Sequence, residues 1–228
     1  MPDPRRYASS PCLAGDIAPD YVDPVATDPE QAGDVARWRR AERIRLRAAR
    51  NAISVIDRQA LSAAPAGHLR QVLVERFNGA AGMVLSAYWP IKGEPDLRDA
   101  MAELHDAGVI VALPVVEVRA SPLVFRRWQP GQRMVRGDWD IPVPPADAEK
   151  VLPDVSLAPA VGWDSAGFRL GYGGGYFDRT LAKLAPRPFS IGIGLQAARL
   201  ATIFPQPYDI QLNVVLTEAG VQFPSEGP

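Results

Sequence analysis

The chain has 228 residues, which at about 150 per domain allows one large domain with a modest appendage. Its 25 Lys and Arg against 26 Asp and Glu give a net charge of −1, which excludes a globally basic nucleic-acid-coating protein. The balance conceals a segregation: residues 37–50 hold seven arginines and Glu42, a net +6, and the remainder carries −7. A content of 47% apolar and 22% charged residues suits a globular chain with a sizeable core, and 23 Pro with 19 Gly imply many turns. Cys12 stands alone and His68 and His105 are the only histidines, so neither a disulfide framework nor a Cys- or His-based metal cluster is available. With no apolar run of about 18 residues and no apolar signal core behind Met1, a cytoplasmic location without membrane attachment is the default expectation.

In chain order, residues 1–33 read as an acidic, Pro-rich N-terminal arm, and residues 34–228 as a single domain. From Asp34 as N-cap a helix is expected to about Ala63. At roughly 100° per residue, Val35, Trp38, Leu46, Ala49 and Ile53 fall on one side, with Arg39, Arg43 and Arg50 clustered within about 40° beside them. A second helical pattern through Leu69, Val72, Leu73 and Phe77 closes at Asn78-Gly79, and residues 82–89 form a buried strand. The loop 90–96 leads to a helix from Leu97 to Ala107 capped by Gly108, then strands over 109–116 and 123–128. After a loop-rich stretch to Pro153 come a strand at 155–158, a helix at 174–184, a strand at 189–194, a short helix at 197–203 and a last strand at 212–217. This alternation predicts an α/β fold, a three-layer α/β/α domain around a largely parallel sheet.

The strongest chemical signal is Arg169-Leu170-Gly171-Tyr172-Gly173-Gly174-Gly175-Tyr176-Phe177-Asp178-Arg179, between a predicted strand and helix. Its glycines leave backbone amides uncovered, and the following helix N-terminus favours an anion, as a phosphate nest requires. The spacing is neither a dinucleotide fingerprint nor a Walker loop, and a Gly-rich chain reversal is the structural alternative. An Asp at position 178, one turn into the helix, has the oxygen chemistry to hold Mg²⁺ on a polyphosphate. The arginine row is either a solvated helix face or an anion contact. Glu94 lies beyond the carboxyl end of a strand, where α/β sheets take ligands; a capping or surface carboxylate is its plainer role. Asp209 is a second metal carboxylate or an Asx turn, and Trp139 stacks on a flat heterocycle or covers the core edge.

The Gly-rich stretch, Asp164 and Gly167 before it, Arg50-Asn51-Ala52-Ile53-Ser54, the strand and loop to Glu94, Leu113-Pro114-Val115-Val116, the Asp209 loop and Val214-Val215-Leu216-Thr217-Glu218 occur in one order. In this the chain resembles the 5-formyltetrahydrofolate cyclo-ligase family, from about Arg39 to Thr217. The resemblance implies a NagB/ribose-5-phosphate isomerase-like fold and a reaction in which ATP and Mg²⁺ drive cyclisation of a folate substrate to 5,10-methenyltetrahydrofolate. It implies ATP contacts from Arg39, Arg43, Arg169, Leu170, Gly171, Tyr172, Gly173, Gly174, Gly175, Tyr176 and Phe177, with Arg169 and Tyr176 as the catalytic residues. Trp89, Glu94, Trp139, Tyr172 and Tyr176 would border the pterin, and Asp178 and Asp209 would hold magnesium. Arg39 stands where the family usually has Lys, which exchanges a point charge for a planar fork. The sequence is compatible with three functions: the cyclo-ligase, an ATP-using relative acting on another substrate, and a non-catalytic protein whose arginine helix docks nucleic acid or a partner. The last requires that Arg39 and Arg43 not point into the glycine-loop cleft. Nucleic acid is not expected as a partner, and oligomeric state is left open.

Overall fold

A computed structural model of the chain describes residues 29–222. Most of the expected acidic arm, residues 1–28, lies outside that range, and residues 29–33 are already helical. Helix α1 runs Pro29–Asn51 and α2 runs Val55–Phe77. The expected single helix from Asp34 to Ala63 is therefore two: it starts five residues earlier and breaks at Asn51–Ser54. The break has a local cause. Ser54 adopts an extended backbone and its Oγ accepts from the Asp57 amide at 3.1 Å, capping α2 and stopping α1. Helix α2 then absorbs the second predicted helix and closes at Asn78, which takes the left-handed conformation.

The strands are β1 Val84–Ser86, β2 Ile110–Val115, β3 Val124–Arg127, β4 Val135–Arg136, β5 Pro142–Val143, β6 Lys150–Val151 and β7 Val155–Pro159. They continue with β8 Gly162–Asp164, β9 Arg169–Leu170, β10 Phe189–Ile193, β11 Arg199–Leu200, β12 Val214–Thr217 and β13 Gly220–Val221. Two more helices complete the described chain, α3 Arg98–Asp106 and α4 Tyr176–Lys183. The main sheet has the order β13-β12-β10-β7-β1-β2-β3-β6. Its five central strands, from β12 to β2, are parallel, and β13, β3 and β6 add antiparallel edges. The predicted three-layer α/β architecture is thus observed.

Two apolar clusters occupy the two faces. On one, Leu69, Val72 and Leu73 of α2 and Leu97, Ala100, Met101 and Leu104 in and before α3 pack on Leu85, Val111, Leu157 and Ile191. On the other, Leu46 of α1 and Leu181 of α4 meet Ala158, Trp163, Leu170, Leu195 and Val215. A small sheet of order β11-β8-β9 builds this second side. It replaces the short helix expected at 197–203, of which only a 3-10 turn, Gln196–Ala198, forms. The strand expected over 82–89 is three residues long because the chain leaves the sheet after Ser86, carrying Tyr88 and Trp89 into a loop. Among the described residues no helix is long and apolar enough to cross a membrane.

Trp163 is the keystone of the second cluster: it is fully buried, and its Nε1 donates to the Leu195 carbonyl at 2.9 Å. Trp163→Ala should lower the unfolding free energy by about 3–5 kcal/mol in urea titrations, from lost burial plus a cavity. A loss below about 1 kcal/mol would show that this side of the sheet is not a cooperative part of the core.

Candidate functional site

Helix α1 lies along a cavity of about 510 Å³, with the Gly-rich loop between β9 and α4 and the loop after β1 also lining it. That volume is in the range of small-molecule sites. Trp89, Glu94, Trp139, Arg39, Arg43, Arg169, Gly171 to Phe177, Asp178 and Asp209 all line it. Of the residues expected at the site, only Leu170 does not. Its side chain is buried in the second apolar cluster and its backbone pairs with Gly162, so β9 spends this residue on the core.

The loop conformation follows from its composition. Gly173 and Gly175 have φ of 99° and 63°, a region that side-chain-bearing residues rarely adopt. Gly175 is the N-cap of α4 and supplies no side-chain acceptor, so the first amides of that helix remain available at the cavity wall. A Cβ on Gly171 would come within 2.6 Å of Arg169 Nη1, and one on Gly174 within 2.8 Å of the Tyr176 ring. A side chain at either place would displace Arg169 or Tyr176 from its position at the cavity wall.

Of the α1 arginines, Arg39, Arg43 and Arg47 line the cavity, whereas Arg50, the third member of the expected row, is not among its lining residues. Arg39, only 5% exposed, donates Nε to the Ile203 carbonyl at 2.9 Å and forks both Nη atoms onto the Asp209 carboxylate. A lysine could not make this contact pattern. Arg43 donates Nε to the Gly171 carbonyl at 2.7 Å, tying the helix to the Gly-rich loop. Burial, and then the charge of Arg39, lower its pKa. Arg50, also 5% exposed, donates Nε to the Lys92 carbonyl and Nη2 to the Tyr172 hydroxyl at 2.5 Å. The outer arginines behave as a solvated face: Arg37 pairs with Asp34 and Arg45 with Glu42. Arg39 and Arg43 line the cavity, which removes the residues that a nucleic-acid-docking reading of the row needs.

At the other end, the Tyr172 hydroxyl donates to Glu94 Oε1 at 2.8 Å, and the Ile91 amide donates to Oε2 at 2.9 Å. Glu94 is 4% exposed, and burial raises its pKa against the opposing pull of these two donors, Arg50 and Lys92. The Tyr172 phenol is raised as well, by burial and then by the Glu94 charge. Lys92 and Gly93 take positive φ in the tight turn that aims Glu94, and Tyr88 fixes its far side by donating to the Pro95 carbonyl.

Both expected metal carboxylates line the cavity, and the Ile210 amide, next in the chain to Asp209, donates to Asp178 Oδ1 at 3.3 Å. Each has an arginine partner, Asp178 with Arg169 at 3.1 Å and Asp209 with Arg39. Among the described residues no group of three or more His, Cys, Asp or Glu could hold a metal. Two carboxylates suit an ion that completes its shell with phosphate and water oxygens, as Mg²⁺ does. Tyr176 contacts Trp139 edge-on at 5.5 Å, and Trp139, 65% exposed with a positive φ, forms the open rim. Asp164 proves structural: it accepts from the Ala166, Phe168 and Ile203 amides.

Sequence reasoning missed Arg47 and Tyr88 as cavity residues. For Arg47 a signal existed, since it lies four residues beyond Arg43 on the same helix.

A sequence model of the 5-formyltetrahydrofolate cyclo-ligase family matches residues 35–218. The chain is 32% identical over 145 residues to a 5-formyltetrahydrofolate cyclo-ligase of Mycolicibacterium smegmatis, covering 60% of this chain and 74% of that one. It is 31% identical over 143 residues to the Escherichia coli protein of the same name, with 60% and 79% coverage. Among solved structures, a 5,10-methenyltetrahydrofolate synthetase of Aquifex aeolicus superposes with a TM-score of 0.70 at 25% identity, over 83% of this chain and 94% of that one. One from Mycoplasma pneumoniae, at 22% identity, shares the fold with a TM-score of 0.64 over 79% and 98%.

An acid whose native pKa is raised binds its proton more tightly when folded. Ionised Glu94 therefore costs stability at neutral pH, and the cost is relieved as pH falls through the native midpoint toward the ordinary glutamate value. Removing the Tyr172 donor should push the midpoint higher still. Carbon-13 carboxyl titration of Tyr172→Phe should show this upward move, and an unmoved or lowered midpoint would contradict the assigned hydrogen bond.

Proposed function

Because the chain belongs to the 5-formyltetrahydrofolate cyclo-ligase family, we propose that its cavity takes 5-formyltetrahydrofolate and ATP together and closes the folate to 5,10-methenyltetrahydrofolate, releasing ADP and phosphate. The observation that carries the site assignment is the junction at Tyr172. One residue of the Gly-rich loop bonds the carboxylate of the opposite loop, so a nucleotide on the first and a pterin on the second would meet between them.

Formyl oxygen is a weak leaving group, and an amide-like N5-formyl carbon is a weak electrophile. Both defects are repaired if that oxygen attacks the γ-phosphorus: an O–P bond forms and the bond from phosphorus to the ADP oxygen breaks. N10 then adds to the activated carbon, and phosphate departs with the former formyl oxygen as the N10 proton goes to water. Such a reaction needs positioning and charge neutralisation rather than a protein nucleophile. The residues supply these. Amides of the Gly-rich loop and the α4 N-terminus, with Arg43, face the phosphates, and Arg169, held by Asp178, lies at the same wall. Tyr176, edge-on to Trp139, separates the two subsites. Glu94 accepts from pterin N–H groups in competition with Tyr172, and Trp89 and Trp139 offer apolar faces to the ring. Asp178 and Asp209 are the residues that would hold Mg²⁺, whose contribution when bound is to neutralise charge on the phosphate oxygens. The domain would then be one catalytic unit from about residue 34 onward.

Purified protein with 5-formyltetrahydrofolate, ATP and Mg²⁺ should generate methenyl absorbance, and a trace equal to the enzyme-free control would sink the proposal. Arg43→Ala should raise the KM for ATP roughly 10- to 100-fold, the worth of a charged hydrogen bond. An unchanged KM would remove Arg43 from the nucleotide subsite.

A further inference from the structure

Four arginines of α1 reach inward, and three of them are committed. Arg39 is spent on Asp209 and the Ile203 carbonyl, Arg43 Nε on the Gly171 carbonyl, and Arg50 on Tyr172 and the Lys92 carbonyl. Arg47 is different. It lines the cavity, forms no ion pair among the described residues, and its Nε is buried without a hydrogen-bond partner. Its guanidinium carbon lies 5.5 Å from the centre of the Tyr172 ring. That contact steadies the side chain and supplies no acceptor for its N–H groups. A partly buried cation kept without an acceptor is costly, so the site is built to receive one.

The position on the helix says which acceptor. With a rise of 1.5 Å per residue, Arg47 lies about 6 Å along α1 from Arg43, which holds the Gly-rich loop, and about 4.5 Å from Arg50, which holds the Tyr172–Glu94 pair. It stands between the phosphate-facing end of the cavity and the pterin-facing end. Resting on the function proposed above, we infer that Arg47 is a catalytic residue whose guanidinium contacts the phosphoryl group in transit from the nucleotide to the formyl oxygen. The three equatorial oxygens of that group carry the charge of the transition state, and a planar fork with unused donors is the matching partner. The step itself is the one already balanced: the formyl oxygen gains phosphorus and ADP leaves.

The test compares wild type with Arg47→Ala and Arg47→Gln, the latter keeping a side chain over Tyr172 should the former unfold. Expected for both is a kcat lower by about 10²- to 10³-fold, the size of effect seen when a transition-state donor is removed. Dissociation constants for a non-hydrolysable ATP analogue and for 5-formyltetrahydrofolate should each stay within about threefold by calorimetry. Binding of ADP with aluminium fluoride in the presence of the folate should weaken in parallel with kcat, and added guanidinium ion should restore part of the rate to Arg47→Ala. An effect confined to the folate constant would make Arg47 a substrate-carboxylate holder. One confined to the analogue constant would make it a ground-state phosphate ligand. Either of these, or wild-type kcat in both variants, overturns the inference. An inactive wild type overturns the proposed function and with it this role, whereas an active wild type with active variants overturns this role alone.

Discussion

A buried guanidinium must be given acceptors, and among the described residues of helix α1 two arginines are buried against only two apolar side chains, Val35 and Leu46. Its docking is therefore written in polar contacts. In the one buried ion pair among them, Arg39 with Asp209, removing either partner strands a charge, at a typical cost of about 3–5 kcal/mol. Arg39 to Asp209, Arg43 to Gly171 and Arg50 to the Lys92 carbonyl fix the helix at three points to the Asp209 loop, the Gly-rich loop and the loop after β1, and Arg50 reaches the Gly-rich loop as well through Tyr172. These are the segments that form the cavity. The charge cluster that distinguishes the sequence is thus first a clamp, and only what the clamp leaves over is available to a ligand.

The rest of the fold serves to bring those loops to α1. Parallel strands β1, β7 and β10 run side by side, and the segments leaving their C-terminal ends lead to Trp89 and Glu94, to the small sheet, and to the turn before Ile203. The small sheet carries Arg169 on β9, shortly before the glycines, and Trp163 ties it to the segment that follows β10 through the Leu195 carbonyl. Asp164 holds the β8–β9 turn and Ile203 together, and Ile203 in turn accepts from Arg39. A chain of contacts therefore runs from the core to the cavity without passing through an exposed side chain.

How much of this was legible in the sequence depends on range. The parallel α/β alternation and the Gly-rich loop were readable because period and composition are local. The division of α1 from α2 was missed because the apolar stripe through Leu46, Ala49 and Ile53 runs into it, although Ser54 and Asp57 hold a visible capping pattern. Strands β8, β9 and β11 are two or three residues long and carry no period to detect. The Tyr172–Glu94 bond spans 78 residues, and no property of either residue alone announces it. Leu170 shows the opposite error: it sits inside the motif by sequence, but alternation along β9 turns it into the core. Arg47 was passed over because a tight angular cluster was taken as the criterion, whereas an elongated cavity is lined by successive turns of a helix.

If the formyl oxygen is activated by phosphorylation, as proposed, it must leave the folate within the phosphate. Following that atom decides the matter: 5-formyltetrahydrofolate labelled with oxygen-18 in the formyl group is turned over with unlabelled ATP in unlabelled water, and the released phosphate is analysed by mass spectrometry. One oxygen-18 per phosphate is the expected result. Methenyl product accompanied by unlabelled phosphate, with the label in water, would contradict it.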